Sequence, residues 1–218
     1  WIFRIFAGLL LFAFIASIFY SISNTNSNYV PKKYAVDNVK ETTDTLKRVS
    51  EKDTIISHFR SWRDYDNNLY EGSYFVKYSA YQNAKSYKNN LQIIGNNQAE
   101  YDKVLFSLKE NDKGNINGLY QLFDTLKFEK KLDSIAFAKM IVSFVQDIPY
   151  ALVLPENCDP NLYSDNFIKQ YLNSNNAKCD GFEKFGINTP VEFLATLNGD
   201  CDTRTLLLYT ILAHYNYD

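Results

Sequence analysis

Histidine, methionine, proline and glycine are all scarce in this chain of 218 residues, which contains 2 His, 1 Met, 5 Pro and 8 Gly. The glycines form no Gly-rich phosphate loop, and no group of His, Cys and carboxylate residues has metal-ligand spacing. An excess of basic residues is also missing, because 23 Lys and Arg are balanced by 25 Asp and Glu. The sequence therefore predicts no metal centre, no cofactor and no nucleic-acid partner.

Hydrophobic residues, in contrast, make up 46% of the chain and aromatic residues 16%. This content is enough for a core and argues against global disorder. We predict an α+β fold that is mainly helical, contains one β-hairpin and is preceded by one transmembrane helix. The expected organisation is a membrane anchor at 1–23, a linker and juxtamembrane helix at 24–53, a β-hairpin and helical region at 54–134 and a core at 135–218.

The longest apolar run is formed by residues 1–23, where one glycine and one serine are the only interruptions between Ile5 and Tyr20. About 20 apolar residues are enough to cross a bilayer, so we expect a retained anchor with the membrane as a partner. A secretory signal peptide is the alternative, but the run is long for one and no clear small-x-small cleavage site follows it. A buried core helix is the third option. It is disfavoured because the polar residues 21–28 follow the run and no amphipathic face is present.

The charges near this segment do not fix its orientation, since Arg4 precedes it while Lys32 and Lys33 follow it. Residues 24–31 are polar and asparagine-rich, which is typical of a linker. Residues 34–52 have a helical spacing of apolar positions, which fits either a juxtamembrane helix or part of a coiled coil.

Two segments rich in aromatic and β-branched residues, 55–65 and 69–78, are separated by Asp66, Asn67 and Asn68. This pattern predicts a β-hairpin. The period of two along a strand would place His58 and Trp62 on one face, where a lone histidine among aromatic residues is usually structural.

Helical periodicity follows over four segments, 79–94, 98–108, 115–131 and 133–145, with a break between the first two at 95–97. The apolar stripe of the last segment predicts core packing rather than a cofactor site.

The motif on which the functional prediction depends is Gly199-Asp200-Cys201, followed by a periodic apolar run up to His214. It predicts a loop that leads into a helix, with Asp200 as the N-cap and Cys201 in the first turn. The free amides and the helix dipole at such a position favour a thiolate, whereas the carboxylates of Asp200 and Asp202 oppose it. A small buried residue at a helix start is the structural alternative for Cys201.

Two further motifs precede this one in a fixed order, the stretch from Phe144 to Tyr150 and the stretch from Thr189 to Phe193. Together the three motifs, within residues 135–218, resemble the transglutaminase-like superfamily of papain-fold thiol enzymes, in its membrane-anchored bacterial type. The resemblance implies the helical lobe of that fold, with Cys201 as nucleophile. It also implies acyl transfer from a peptide or protein amide, with hydrolysis favoured over cross-linking to an amine.

In that family a histidine and an aspartate on later strands complete the catalytic triad, and no such strands follow Cys201 in this chain. His214 lies 13 positions after Cys201 on one predicted helix, about 20 Å away along the axis, and so cannot act as its general base. We therefore expect either a longer protein or a non-catalytic subunit that interacts with membrane-protein partners.

Cysteine is present in an odd number, with Cys158 and Cys179 in one loop-rich insertion and Cys201 outside it. Pairing the first two would hold the insertion together and leave Cys201 free. Such a disulfide needs an oxidising compartment, which together with the resemblance favours a periplasmic or other extracytoplasmic location. The alternative is that both are ordinary buried thiols, and a zinc site is disfavoured because neither has a Cys-x-x-Cys or histidine partner.

Overall fold

A computed structural model of the chain describes residues 54–92 and 97–217. The predicted anchor, linker and juxtamembrane helix at 1–53 lie outside the described residues and stay predictions. Within the part of the chain that is described, no helix is both long enough and apolar enough to cross a membrane.

The described residues begin with the expected antiparallel β-hairpin, formed by β1 (Ile55–Arg63) and β2 (Leu69–Lys77). His58 and Trp62 lie opposite Tyr74 and Tyr70 in the register of the two strands. The hairpin prediction is confirmed, and it places four aromatic rings on the buried side of the sheet.

The turn of the hairpin begins at Asp64, two residues earlier than the predicted turn at 66–68. The Asp64 carboxylate accepts hydrogen bonds from the backbone amides of Asp66 and Asn68, each at 2.9 Å, and from the Tyr70 hydroxyl at 3.0 Å. Burial alone would raise the pKa of Asp64, but these hydrogen bonds outweigh it and lower the pKa below its ordinary value. Asn67 takes the left-handed conformation that Asn tolerates in tight turns, with φ of 66°.

Seven α-helices follow in the described residues: α1 (Tyr78–Asn90), α2 (Gln98–Asp112), α3 (Asn117–Glu129), α4 (Ser134–Asp147), α5 (Asn166–Leu172), α6 (Pro190–Thr196) and α7 (Cys201–His214). Two short strands, β3 (Leu152–Val153) and β4 (Cys179–Asp180), pair in parallel within the insertion. The predicted α+β class, mainly helical with a β-hairpin, is confirmed.

Side-chain caps fix where several of these helices begin. Asn97 accepts a hydrogen bond from the Glu100 amide at 3.0 Å, and Asp133 accepts one from the Ala136 amide at 2.8 Å. These bonds go to first-turn amides, which lack the carbonyl partner four residues earlier that amides inside a helix have. The starts of α2 and α4 thus follow from local sequence, within one residue of the predicted starts.

One large hydrophobic cluster joins the hairpin to α3, α4, α6 and α7. Its centre is aromatic: Phe144 makes edge-to-face contacts with Trp62, Tyr74 and Phe123, at centroid distances of 5.0, 5.9 and 5.1 Å. Edge-to-face pairs contribute about 0.5–1.5 kcal/mol beyond the area that they bury. Residues from both predicted regions, 54–134 and 135–218, therefore share this core.

A buried ion network connects Lys88 in α1 to Glu183, which precedes α6, and to Glu192 in α6. The Lys88 ammonium is 0% exposed and lies 2.6 Å from a Glu183 carboxylate oxygen and 2.8 Å from one of Glu192. It also donates to the carbonyl of Ile187 at 3.0 Å. Glu192 in turn caps its own helix by accepting from the Thr189 amide at 2.9 Å. The network fixes the start of α6 against α1.

Candidate functional site

Cys201 is the first residue of α7, and its thiol is free and exposed. Asp200 is the N-cap: its carboxylate accepts from the Thr203 amide at 3.2 Å and from the Val153 amide at 3.4 Å. Burial raises the pKa of Asp200, and these hydrogen bonds oppose the rise. The predicted helix start is confirmed, while the alternative of a small buried residue at position 201 is wrong.

Two side chains outside the predicted site lie beside the thiol. The Tyr150 hydroxyl is close enough to Cys201 for the cysteine to affect its pKa, and the Arg204 guanidinium lies 5.4 Å from the centre of the Tyr150 ring. Burial raises the pKa of Tyr150, and the charges of Cys201 and Asp200 add to the rise. Burial also lowers the pKa of Arg204, against the opposite effect of the same acidic neighbours. The surroundings of the thiol therefore include one hydroxyl group and one cation.

Arg204 also joins two of the three sequence motifs through backbone carbonyls. Its guanidinium donates to the carbonyl oxygens of Ile148 at 2.5 Å, Gly199 at 3.2 Å and Gln146 at 3.4 Å. The end of α4 is thereby held against the loop that precedes Cys201. A side chain at position 199 would collide with this arrangement, because its Cβ would lie 2.6 Å from the Phe193 ring.

The insertion between α4 and α6 forms the neighbouring surface, and a disulfide between Cys158 and Cys179 closes it. The two Cα atoms are 6.1 Å apart, across a sequence separation of 21 residues. The predicted pairing is confirmed. From this insertion the Tyr171 hydroxyl donates to the carbonyl of Tyr150 at 3.0 Å, so the closed loop supports the tyrosine whose pKa Cys201 affects.

Peptide mapping without reductant is expected to recover Cys158 and Cys179 as one linked pair and Cys201 as a free thiol. Replacing both paired cysteines by serine should lower the free energy of unfolding by about 3 kcal/mol, because closing a loop of about 20 residues reduces the entropy of the unfolded chain. Urea unfolding of the double variant, with Cys201→Ser as the matched control, measures the difference. Recovery of Cys158 and Cys179 as free thiols would contradict the pairing.

Both histidines of the chain lie in structural settings. The His58 Nε2 atom is 3.0 Å from the carbonyl oxygen of Ala195, at the hairpin–α6 contact. The His214 ring stacks on Tyr120 with a centroid separation of 3.6 Å, at the last residue of α7. His214 is thus at the opposite end of the helix from Cys201, about 20 Å away along its axis, as the sequence predicted.

The described residues also bear on metal binding. Among residues 54–92 and 97–217, no group of three or more His, Cys, Asp or Glu residues is placed to hold a metal ion.

The contacts of Tyr150 and Arg204 were missed by sequence reasoning. Tyr150 was named only as the last residue of the motif that begins at Phe144, and no role was predicted for Arg204. A usable signal exists for Arg204, because residues three apart on a helix lie on the same side and Arg204 is three positions after Cys201.

No family model, no curated protein and no solved structure matches this chain. The function is therefore inferred from the geometry around Cys201.

Proposed function

We propose that this chain is a transglutaminase-like thiol enzyme that transfers the acyl group of an amide through a thioester at Cys201. The observation that carries the proposal is the exposed, free thiol at the first residue of α7, next to a loop that the Arg204 guanidinium holds through the Gly199 and Ile148 carbonyls. An exposed cysteine at a helix start, beside a cation, is a typical setting for a nucleophilic thiolate.

In the proposed reaction the Cys201 sulfur attacks the carbonyl carbon of the amide, so that a C–S bond forms and the C–N bond then breaks. The amine leaves with a proton, and water hydrolyses the thioester to release the acid and restore the thiol. The backbone amide of Cys201 is a suitable donor for the oxyanion, because first-turn amides have no carbonyl partner within the helix and Asp200 caps Thr203 instead.

Solvent water takes the thiol proton as the thiolate forms, and solvent supplies the proton with which the amine leaves. The family resemblance implies a histidine that is oriented by an aspartate, as in other thiol enzymes of this kind. His58 and His214 are not assigned this role, given the Ala195 carbonyl and the Tyr120 ring that they contact. The role of Tyr150 in this scheme is to place a hydroxyl near the sulfur, where Tyr171 holds the Tyr150 backbone.

The finer fold assignment belongs to the same proposal. Residues 135–218 would form the helical lobe of a transglutaminase-like, papain-like fold, attached to the membrane by residues 1–23. The disulfide in the insertion supports an extracytoplasmic location for it, because disulfides persist in oxidising compartments. Retention of the protein in membranes after a carbonate wash tests the anchor, and release into the supernatant would exclude it.

Trapping the acyl-enzyme tests the chemistry directly. We expect the full chain, mixed with a panel of peptide p-nitroanilides, to release p-nitroaniline and to gain the mass of the acyl group on the tryptic peptide that contains Cys201. Prior alkylation with iodoacetamide should prevent both signals. Release of p-nitroaniline with no acyl adduct, or neither signal with any member of the panel, would overturn the proposal.

A second candidate function is a non-catalytic interaction subunit of a membrane complex. The observation that favours it is the placement of His214 at the far end of α7 from Cys201. The trapping experiment separates the two candidates, since a subunit of this kind forms no acyl adduct.

A further inference from the structure

A cavity of about 420 Å³ lies between α2 and α7, on the side of α7 that faces away from the hairpin core. We call it the α2–α7 groove; its lining residues are Asp102, Leu105, Phe106, Asp202, Thr205, Leu206 and Tyr209. Its volume falls within the range of about 300–1,000 Å³ that is common for ligand sites.

The walls of the groove are largely apolar. Phe106 is 55% exposed and Tyr209 is 49% exposed, while Leu206 beneath them is almost fully buried. Two large exposed rings over an apolar floor mark a surface that can bury a further side chain. The groove is therefore suited to an aromatic or aliphatic group.

Two carboxylates, those of Asp102 and Asp202, give the groove a negative charge. Asp202 accepts from the Tyr101 hydroxyl at 3.0 Å, and Asp102 accepts from the Gln98 side-chain amide at 2.9 Å. Within the described ranges, 54–92 and 97–217, neither carboxylate is paired with a cation. Each still has acceptor capacity, since an ionised carboxylate offers about four lone-pair sites.

The rings of the groove already hold one cation of the protein itself. The Lys109 ammonium lies 4.9 Å from the centre of the Phe106 ring and 4.5 Å from that of Tyr209, and 3.2 Å from Glu110. Aromatic faces attract ammonium and guanidinium groups at these distances. Because Lys109 is paired with Glu110, the attraction for a basic ligand comes from Asp102 and Asp202, and the rings supply contact area for an apolar group.

The groove reaches the first turn of α7, the turn that contains Cys201. Asp202 follows Cys201 in the chain, and the Thr205 hydroxyl donates to the carbonyl of Cys201 at 2.8 Å. A polypeptide whose amide is held at Cys201 would reach the groove with a side chain only a few residues away.

We propose that the α2–α7 groove is a specificity subsite for a basic polypeptide. It takes an aromatic or aliphatic side chain against Phe106, Leu206 and Tyr209, and a neighbouring lysine or arginine pairs with Asp102 and Asp202. That the bound polypeptide is a substrate rests on the proposed function; the binding itself does not.

Binding is measured on the full chain that carries Cys201→Ala, so that no chemistry occurs. The probe is an acetylated, amidated pentapeptide with a lysine next to a phenylalanine, titrated by calorimetry. We expect Phe106→Ala to weaken the binding about tenfold, as for a buried aromatic contact worth about 1.4 kcal/mol. Phe128→Ala, which removes an 83%-exposed ring on α3 outside the groove, is the matched control and should change nothing.

The charge contribution is tested separately. Exchanging the peptide lysine for glutamate, or combining Asp102→Asn with Asp202→Asn in the protein, should each weaken the binding several-fold and reduce its dependence on salt. Glu129→Gln, an exposed acid on α3, is the control for these substitutions.

The outcomes separate this inference from the proposed function. Peptide binding that is lost in the groove variants, combined with no acyl adduct in the wild-type chain, would support the subsite and defeat the enzyme. Turnover that is the same for basic and acidic peptides, with no effect of Phe106→Ala, would defeat the subsite alone. Absence of peptide binding overturns the inference, as does self-association of the chain that Phe106→Ala abolishes, since a second copy would then occupy the groove.

Discussion

Replacing Cys201 by alanine is expected to reduce turnover by roughly 10⁴-fold or more while leaving the fold almost unchanged. The loss is large because the proposed reaction passes through a covalent bond to this sulfur, and residues that act as a nucleophile are not replaceable by their neighbours. The stability should change by no more than about 0.5 kcal/mol, because the side chain is exposed.

The measurement pairs kinetics on peptide p-nitroanilides with urea unfolding of the same preparation. Cys201→Ser is the matched variant, since it keeps the size of the side chain but supplies a weaker nucleophile. Turnover in the alanine variant within tenfold of wild type would exclude a thioester mechanism. A drop of several kcal/mol in its free energy of unfolding would instead show that the cysteine has a packing role.

The second large effect is expected in stability. Lys88→Met should lower the free energy of unfolding by about 3–5 kcal/mol, because it leaves the Glu192 carboxylate buried without a cation and Glu183 with only Lys85, 3.1 Å away. The control is Lys103→Met, whose ion pair with Glu100 is on the surface and should contribute less than about 1 kcal/mol.

The effect of Lys88→Met should also depend on pH. Burial raises the pKa of Glu192 above its ordinary value, and the charge of Lys88 opposes the rise. Because the folded-state pKa is the higher one, the cost of ionising Glu192 is absent below the unfolded pKa and grows as the pH rises through the folded pKa. Removing Lys88 raises the pKa of Glu192 further, so the deficit of the variant should shrink in acid and be largest at neutral pH. A deficit that is the same from acid to neutral pH would contradict this assignment.

The elements with a clear period could be predicted from the sequence, whereas one helix end depends on a contact between distant parts of the chain. The end of α2 was predicted at Leu108 because the apolar period stops there. The helix continues to Asp112, whose carboxylate accepts from the Val191 amide at 2.9 Å in α6. A contact across 79 residues decides that helix end, and no local pattern encodes it.

The helices α5 and α6 are too short for a periodic signal, with seven residues each. The start of α6 nevertheless follows from local sequence, because Thr189 and Glu192 form a reciprocal capping box and Pro190 occupies the first helical position. The capping box and the proline by themselves predict a helix start here, although the motif was used only for the family resemblance.

The candidate site divides in the same way. The position of Cys201 follows from Asp200 and the apolar run behind it, which are all local. The contacts of Arg204 with residues 146 and 148 join parts of the chain that are more than 50 positions apart, and the α2–α7 groove exists only once two distant helices have packed.

The hydrogen bonds of Arg204 determine which of its partner positions can be substituted. Its partners at 146, 148 and 199 are main-chain oxygens, which every residue type supplies. Residues 146 and 148 can therefore change without breaking these bonds, whereas residue 199 cannot, because a side chain there would strike Phe193 and Thr203. We therefore expect distant relatives of this chain to keep the glycine, the cysteine and the arginine at the same spacing, while the residues at positions 146 and 148 vary.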